Sequence, residues 1–354
     1  MNKWNALHRS IFAGVLYLMS ATATAANWVI LDLGTLGGND SEAIAINDFT
    51  EIVGRSEIAG GFVSHAFLYK NWGMTDLGTL GGQTSVAHAL NNNGQIVGSS
   101  RLANGTYHAF LYQDNAMRDL GTLGGVNSSA LGINNGGQIV GEAMTSNGVR
   151  RAFLYSGGTM RDIGTLGGAE SAAHAISGGG QIVGWSQVGD DMHAFSYRDG
   201  AMTDIGAASA LQTKAFDLNE SGQIVGRLTR ADGNDRAFLY NDGALQDIGF
   251  LGGGPVSEND AIAFSVNNVG WIVGHSTING SGRWAFLYRE GKMIDLSALP
   301  EVAAAGWRLE TANGINDCGQ IVGRGFKQSA NGYRAYLLSP INPATGMSEC
   351  ACPE

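Results

Sequence analysis

The chain has 354 residues, and its 21 Lys and Arg against 31 Asp and Glu give a formal net charge of −10 at pH 7. Binding to a nucleic-acid backbone or an anionic membrane surface needs clustered cations; the sequence has no such cluster, which excludes both as partners. Glycine contributes 54 residues, roughly twice the usual share, and recurs at fixed places, which indicates turn chemistry and not a disordered linker.

Residues 1–25 read as an export signal. Lys3 and Arg9 form a basic start, Ile11–Met19 is an apolar stretch, and Ala-Thr-Ala at 23–25 is a small-residue cleavage site. The apolar stretch is shorter than the ~20 residues that span a bilayer. We therefore expect a secreted protein, periplasmic or extracellular, with no membrane insertion after the signal is removed.

The rest of the chain repeats one module of about 43 residues seven times, a period typical of propellers and solenoids. The tripeptide Ile-Val-Gly ends at Gly54, Gly98, Gly141, Gly184, Gly226, Gly274 and Gly323. An Asp-(Leu/Ile)-Gly element, first at Asp32, and an Ala-(Phe/Tyr)-hydrophobic element, first at Ala66, keep step with it. The repeat therefore predicts a repeat architecture, either a propeller or a solenoid.

One module divides into four short strand candidates separated by turn signals. In the second module these are Ala87–Asn91, Gln95–Ser99, His108–Tyr112 and Met117–Leu120, and Gly121–Gly125 leads to the next module. Four strands per module match a propeller blade better than a solenoid coil, and no segment has a helical period.

The two ends of the repeat complement each other. The last module supplies three strands, Thr311–Asn316, Gln320–Gly323 and Arg334–Leu338, and lacks the fourth. The mature chain begins with an extra fourth-strand sequence, WVILDLG, which would complete that blade and remove an open sheet edge. We predict an all-β, seven-bladed β-propeller of four-stranded blades over 26–338, closed by the N-terminal strand, with a C-terminal tail at 339–354. We expect a monomer.

The three cysteines suggest how the tail is held. Cys318 lies in the turn between the first two strands of blade 7, and Cys350 and Cys352 lie in the tail, which leaves the blade on the same face. Export permits disulfides. We predict a bridge from Cys318 to Cys350 or Cys352.

The recurring motifs AFLY, DLGTLGG and NNGQIVG resemble those of the HAF repeat family, bacterial extracellular proteins named for a His-Ala-Phe tripeptide. The resemblance covers nearly all of Trp28–Leu338, and three modules keep the histidine, at His65, His108 and His193. It implies export and carries no established activity, so it transfers no catalytic residue.

The recurring Asp and Phe residues have structural interpretations. Each Asp of the Asp-Leu-Gly element lies in a separate blade, so we expect it to accept hydrogen bonds from turn amides and not to converge on a metal. The recurring Phe, first at Phe67, should fill the core between blades. No metal and no cofactor are expected.

The innermost strands contain candidate binding residues. One column near the mouth of the central channel reads Ile44, His88, Leu131, His174, Phe216, Phe264 and Asn313. His88, His174, Lys214 and Asp217 interrupt an otherwise small and apolar pattern there. Departures from a repeat are where a symmetric scaffold can hold an asymmetric site, although packing variation is the simpler explanation of these four.

Two enlarged linkers, Gly252–Asp260 and Ser297–Arg308, lie on one face of the predicted disc and form a candidate binding surface. Their candidate residues are Glu258, Asp260, Glu301, Trp307 and Arg308. Trp307 would stack on a sugar ring, and the acids would accept hydrogen bonds from hydroxyl groups.

Side chains near the axis are small and apolar in most blades, and no set of nucleophile, base and orienting residue is visible there. The sequence therefore favours a non-catalytic binding protein over an enzyme. We expect it to bind a carbohydrate or an extracellular protein on its loop-rich face. Two alternatives stay open: a polysaccharide hydrolase or lyase acting at the channel mouth through Asp217 and the linker acids, and a structural component of the cell surface or matrix.

Overall fold

Seven four-stranded antiparallel sheets form the described part of the chain and are arranged in a ring. The computed structural model describes residues 27–206, 210–252, 260–278 and 282–341. The fold is a seven-bladed β-propeller, and the predicted architecture is confirmed.

Each blade runs outward from the axis in chain order. The innermost strands are β2 (Gly37–Ile46), β6 (Gly81–Leu90), β10 (Gly124–Ile133), β14 (Ser171–Ile176), β18 (Gln212–Leu218), β22 (Ala261–Val266) and β26 (Trp307–Ile315). The second strands are β3 (Ile52–Ile58), β7 (Ile96–Leu102), β11 (Ile139–Thr145), β15 (Ile182–Val188), β19 (Ile224–Thr229), β23 (Ile272–Thr277) and β27 (Ile321–Lys327). The third strands are β4 (Ser64–Lys70), β8 (Tyr107–Gln113), β12 (Arg150–Ser156), β16 (Asp191–Arg198), β20 (Asp235–Asn241), β24 (Arg283–Arg289) and β28 (Gly332–Ile341).

The outermost strands are the shortest. They are β5 (Gly73–Asp76), β9 (Ala116–Asp119), β13 (Thr159–Asp162), β17 (Ala201–Asp204), β21 (Ala244–Gly249), β25 (Lys292–Asp295) and, in blade 7, β1 (Asn27–Asp32). The described helices are α1 (Pro300–Ala304) and two 3₁₀ turns, Leu296–Ala298 and Gln328–Ala330. None of the described helices is long and apolar enough to cross a membrane.

The N-terminal strand closes the ring. β1 pairs antiparallel with β28, from Asn27 opposite Ile341 to Asp32 opposite Tyr336. Trp28 is 4% exposed and packs in the core of blade 7 with Tyr336. β28 continues to Ile341, past the predicted end at Leu338.

The innermost strands are longer than the sequence predicts in several blades. β6 begins at Gly81 and not at Ala87, because the end of the linker already pairs with the second strand, with Gly81 opposite Leu102. A Cβ on Gly82 would lie 2.4 Å from the Arg101 carbonyl oxygen, so this close pairing needs glycine. Because glycine has a low strand propensity, the sequence pattern did not indicate that the strand begins this early.

A β-bulge occurs in every innermost strand, next to the Ile-Val-Gly glycine of the second strand. In blade 1 the register shifts between Ala43 and Ala45, which leaves Ile44 unpaired, and Gly54 lies opposite Ala43. A Cβ on Gly54 would lie 2.0 Å from the Glu42 carbonyl oxygen. The glycine is therefore required by the bulge, and the bulge turns one side chain per blade toward the axis.

The core lies between adjacent blades. Phe67 of blade 1 is fully buried and packs with Ala43 and with Val322 of blade 7. The equivalent fully buried phenylalanines are Phe110, Phe153, Phe195, Phe238 and Phe286. The predicted role of these residues is confirmed.

The recurring Asp residues are structural, as expected. Asp76 Oδ1 accepts a hydrogen bond from the Gly78 amide at 2.7 Å, and the other six Asp make the equivalent contact. His65 Nδ1 lies 2.8 Å from Asp76 Oδ2, and His108 and His193 repeat this pair in blades 2 and 4. These histidines therefore hold the outer strands together.

The up-and-down strand order gives the disc two distinct faces. The loop face carries the connections from second to third strands and the linkers between blades. The turn face carries the hairpins that join first to second and third to fourth strands.

Candidate functional site

A cavity of about 450 Å³ occupies the loop-face end of the channel. The bulge residues of all seven blades line it, which are Ile44, His88, Leu131, His174, Phe216, Phe264 and Asn313. This is the column identified in the sequence, and the bulge explains why it faces the axis. Because the seven residues differ, the cavity is asymmetric.

Aromatic rings form one wall of the cavity, across blades 4 to 6. The ring centroids of His174 and Phe216 are 5.1 Å apart, and those of Phe216 and Phe264 are 6.1 Å apart. Behind Phe264, the His275 ring lies at 5.2 Å. All three pairs are tilted, the arrangement that aromatic quadrupoles favour.

Polar groups of blades 1 and 7 form another part of the wall. Asn313 Nδ2 donates to Glu42 Oε1 at 3.2 Å and to the Ala43 carbonyl at 2.9 Å. Arg55 holds Glu42 Oε2 through Nη2 at 2.8 Å and Nε at 3.0 Å. The Glu42 carboxylate is therefore fixed in place and keeps acceptor capacity toward the cavity.

Two of the predicted residues, His88 and His174, lie in this cavity as neutral imidazoles. Burial lowers the pKa of each from 6.5 to about 4, helped at His88 by Arg55 and at His174 by Lys214. His88 Nε2 lies 3.3 Å from Ser99 Oγ. At neutral pH these rings can donate and accept hydrogen bonds without carrying charge.

Asp217 lies deeper in the channel, at the boundary between two cavities. Its Oδ2 accepts hydrogen bonds from Ser265 Oγ at 2.8 Å and from the Val266 amide at 3.0 Å. Its Oδ1 accepts one from the Leu218 amide at 2.9 Å. Burial raises the pKa of Asp217 from 3.8 to about 6, although these three hydrogen bonds act in the opposite direction.

The second cavity, of about 270 Å³, lies at the turn-face end and is lined by the hairpin turns. Six asparagines there donate from Nδ2 to the backbone carbonyl of the next blade, at 3.0–3.2 Å. They are Asn47, Asn91, Asn134, Asn219, Asn267 and Asn316. We call this set the asparagine ring; blade 4 interrupts it with Ser177.

Lys214, the fourth residue predicted near the axis, does not line either cavity. Its Nζ lies 4.7 Å from the ring centroid of Trp185, which is itself buried. Burial and then Arg227 lower the pKa of Lys214. Lys214 therefore acts on the site through its charge and not by contact.

The predicted linker residues do not join the channel site. Asp260 Oδ1 accepts a hydrogen bond from the Asp235 amide at 2.9 Å, Glu301 lies on α1, and Arg308 Nη2 donates to Glu310 Oε1 at 2.7 Å. None of these three lines the described channel cavities. Glu258 lies outside the described residues.

Trp307 has a different environment from the one expected. It is 6% exposed and packs edge-on against Tyr336 at 6.1 Å, below Lys327. The linker forms α1 and returns to pair at Trp307, opposite Lys327. Its ring fills the core of blade 7 and is not available to stack on a sugar.

Cys318 is disulfide-bonded. Cys350 and Cys352 lie outside the described residues, so the predicted pairing stays a prediction. Among the described residues, no group of three His, Cys, Asp or Glu side chains is placed to hold a metal ion.

Four cavity residues were not selected from the sequence, although three of them stand in the aligned column. Phe216, Phe264 and Asn313 depart from the aliphatic pattern as clearly as the histidines do. Glu42 stands one position before Ala43, where the corresponding residues of blades 2 and 3 are Val86 and Ser129. This second column therefore contains a charged residue in blade 1 that the other two blades lack.

Comparison with known proteins supports the fold. No protein-family model matches the sequence, and no curated protein matches it. A puromycin-hydrolysing peptidase of Mycobacterium tuberculosis matches with a TM-score of 0.51 at 12% identity, over 82% of this chain and 49% of that one. The chain thus spans about half the length of that peptidase.

Two further solved structures are similar. TolB from Acinetobacter baumannii matches with a TM-score of 0.45 at 13% identity, over 81% of this chain and 79% of that one. The six-bladed fungal lectin of Aleuria aurantia matches with a TM-score of 0.33 at 12% identity, over 68% and 89%. At these identities a likeness concerns the fold alone. The ring of seven four-stranded sheets itself defines the chain as a β-propeller protein.

Proposed function

We propose that this chain is an exported, non-catalytic binding protein that holds a carbohydrate in the loop-face mouth of its channel. The cavity has two different walls, one of aromatic rings with Phe216 and Phe264 and one of hydrogen-bonding groups with Glu42 and Asn313. This pair of walls is the main support for the proposal. Its volume of about 450 Å³ lies in the range of ligand pockets, ~300–1,000 Å³.

The surface of a sugar ring is complementary to these two walls. Its C–H groups form an apolar face that packs on aromatic rings, and its hydroxyl groups donate to carboxylate and amide oxygens. Glu42 is oriented by Arg55, so an acceptor is already in place before a ligand arrives.

The charges favour a neutral sugar over an anionic one. His88 and His174 are uncharged at neutral pH because burial lowers their pKa to about 4. Glu42 is already paired with Arg55, which does not itself line the cavity, and the whole chain carries a net charge of −10. An anionic ligand would meet repulsion and no dedicated cation among the residues that line the cavity.

Export is supported by the leader-like pattern at 1–25 and by the resemblance to the extracellular HAF repeat family. Binding of a carbohydrate outside the cytoplasm is consistent with both.

Binding to a glycan array, followed by calorimetric titration of the strongest ligand, tests the proposal. Phe216→Ala should weaken binding at least tenfold because it removes the central ring of the aromatic wall. Leu131→Ala is the matched control, since Leu131 occupies the same bulge position on blade 3, one blade outside that wall; it should change affinity less than threefold. Equal effects of the two variants would contradict the assignment of the ring wall.

One observation favours a second candidate, a glycoside hydrolase or lyase. Two carboxyl groups, Glu42 and Asp217, line the same cavity, and the pKa of Asp217 is raised to about 6, as a general acid requires. Incubation of the wild-type chain with the bound glycan separates the candidates. Turnover that Asp217→Asn abolishes while binding persists would replace the binding-only function by catalysis.

A further inference from the structure

Blade 1 departs from the other blades on the turn face, where it exposes two aromatic side chains. Phe49, in the hairpin between β2 and β3, is 59% exposed, and Trp72, in the hairpin between β4 and β5, is 84% exposed. The residues equivalent to Phe49 are Asn93, Gly136, Gly179, Ser221, Val269 and Cys318. Those equivalent to Trp72 are Asn115, Gly158, Gly200, Gly243 and Gly291.

Each of the two hairpins contains a non-glycine residue at positive φ, which is Thr50 next to Phe49 in the first and Trp72 itself in the second. Thr50 has φ 60° and Trp72 has φ 65°. All six residues equivalent to Thr50 are glycines, namely Gly94, Gly137, Gly180, Gly222, Gly270 and Gly319. A β-branched or bulky residue at positive φ is an outlier, and such strain persists where the surrounding structure imposes it, often at ligand sites.

A groove of about 400 Å³ lies beside Phe49, between blades 1 and 2. Phe49, Thr50, Glu51, Lys70 and Asn71 line it from blade 1, and Asn92–Gly94 line it from blade 2. We call it the Phe49 groove. One aromatic ring thus stands at the edge of an otherwise polar concavity.

The polar groups of the groove have unused hydrogen-bonding capacity. Lys70 Nζ is paired with Glu51 Oε1, which leaves two of its three N–H donors for a ligand. The side-chain amide of Asn71 makes no hydrogen bond within the described part of the chain. Thr50 Oγ1 donates to Gln320 Oε1 at 2.8 Å and keeps its acceptor sites.

We propose that the Phe49 groove binds a neutral sugar residue of a polysaccharide, as a second carbohydrate site on the face opposite the channel mouth. An exposed ring beside amide, hydroxyl and ammonium groups matches a sugar, which presents an apolar face and a rim of hydroxyl groups. The single cation and the single carboxylate of the groove neutralise each other, so the groove has no net charge with which to select an ionic ligand. This site does not depend on the channel site.

Calorimetric titration of the full chain with four neutral tetrasaccharides, cellotetraose, chitotetraose, maltotetraose and xylotetraose, tests the proposal. Phe49→Asn copies the residue of blade 2 and should weaken binding of at least one tetrasaccharide tenfold or more. Val269→Asn is the matched control, since Val269 is 66% exposed at the equivalent position of blade 6; it should leave affinity unchanged.

Phe216→Ala separates this site from the channel site. If the Phe49 groove binds sugar, the binding that Phe49→Asn weakens persists in Phe216→Ala. Loss of all binding in Phe216→Ala, no binding of any tetrasaccharide, or unchanged affinity in Phe49→Asn would each overturn the proposal. A change of sedimentation coefficient in Phe49→Asn without a change in sugar binding would also overturn it, because the groove would then be a protein interface.

Discussion

At the scale of single residues, the buried histidines near the channel make the stability of the folded chain depend on pH. His275 is 5% exposed, and its Nδ1 has no hydrogen-bond partner among the residues that the structure describes. Burial, with the nearby Arg283, lowers its pKa from 6.5 to about 4. His88 and His174 are lowered to about the same value, so all three rings are neutral in the folded chain above pH 5.

Lowering the pH from 7 to 5 should therefore destabilise the propeller. The unfolded chain binds protons at these histidines near pH 6.5 and the folded chain only near pH 4, so stability falls as pH drops through that window. Asp217 acts in the opposite direction, since its folded pKa of about 6 lies above 3.8, but it is one group against three.

His275→Phe isolates one of these contributions. Phenylalanine keeps the ring beside Phe264 and removes the titrating group. At pH 5 we expect the variant to be about 2 kcal/mol more stable than the wild type, from the shift between 6.5 and about 4. At pH 8 the difference should shrink to the change in packing alone. Urea unfolding at both values measures this, and an equal gain at pH 5 and pH 8 would contradict it.

At the residue scale, departures from an aligned column could be read from the sequence. His88 and His174 stand in the column that the β-bulge turns toward the axis, whereas Asp217 stands in the neighbouring column and pairs with Val225. Trp307 was not predictable, because the folding of its linker into α1 has no counterpart in the other modules. Its burial depends on contacts with Tyr336 that no spacing reveals.

At the scale of elements, the hairpin turns of the turn face fasten neighbouring blades together. Each asparagine of the asparagine ring donates to the next blade, and its Oδ1 also accepts amides of its own turn, as Asn91 does from Gln95 at 3.0 Å. In blade 4, Ser177 is too short to reach the Asn219 carbonyl. The asparagine ring is therefore open between blades 4 and 5.

Ser177→Asn should complete the asparagine ring. The new Nδ2 would donate to the Asn219 carbonyl, as Asn134 Nδ2 does to the Ser177 carbonyl at 3.0 Å. A net gain of about 1 kcal/mol is expected for such a bond, measured by thermal unfolding. The converse variant, Asn134→Ser, should lose a similar amount; a gain in both would contradict the role given to the asparagine ring.

At the scale of the whole molecule, closure of the ring depends on β1. Trp28 is buried with Tyr336 and Leu338, whereas its neighbour Val29 is 50% exposed. Without β1, the outer edge of β28 would present unpaired backbone groups to other chains.

Trp28→Ala should destabilise the propeller by ~3–5 kcal/mol, since it leaves a large cavity in the closing blade. Val29→Ala, on the exposed face of the same strand, should change stability by less than ~0.5 kcal/mol. Urea denaturation of the two variants gives the comparison. A small effect of Trp28→Ala would mean that β1 is not needed to hold blade 7.

The overall architecture could be predicted because the seven modules repeat the same pattern of strands. The extra fourth-strand sequence WVILDLG indicated that the N-terminal strand closes the ring. The lengths of the innermost strands could not be predicted. Gly81 and Gly82 have the sequence of a turn, but they belong to β6 because Gly81 pairs with Leu102. The Phe49 groove also escaped prediction, because only the structure places the two blade 1 hairpins on the same face beside Asn92.

The β-bulge gives the channel a property that the repeat alone does not suggest. Every blade offers the same protruding position at the same height, and the Ile-Val-Gly glycine keeps the backbone there identical whatever side chain it carries. The seven positions are thus interchangeable. Transferring the phenylalanines of blades 5 and 6 to His88 and Leu131 of blades 2 and 3 would rotate the ring wall around the axis and leave the β-sheet scaffold unchanged. The lining of the cavity can therefore change independently of ring closure.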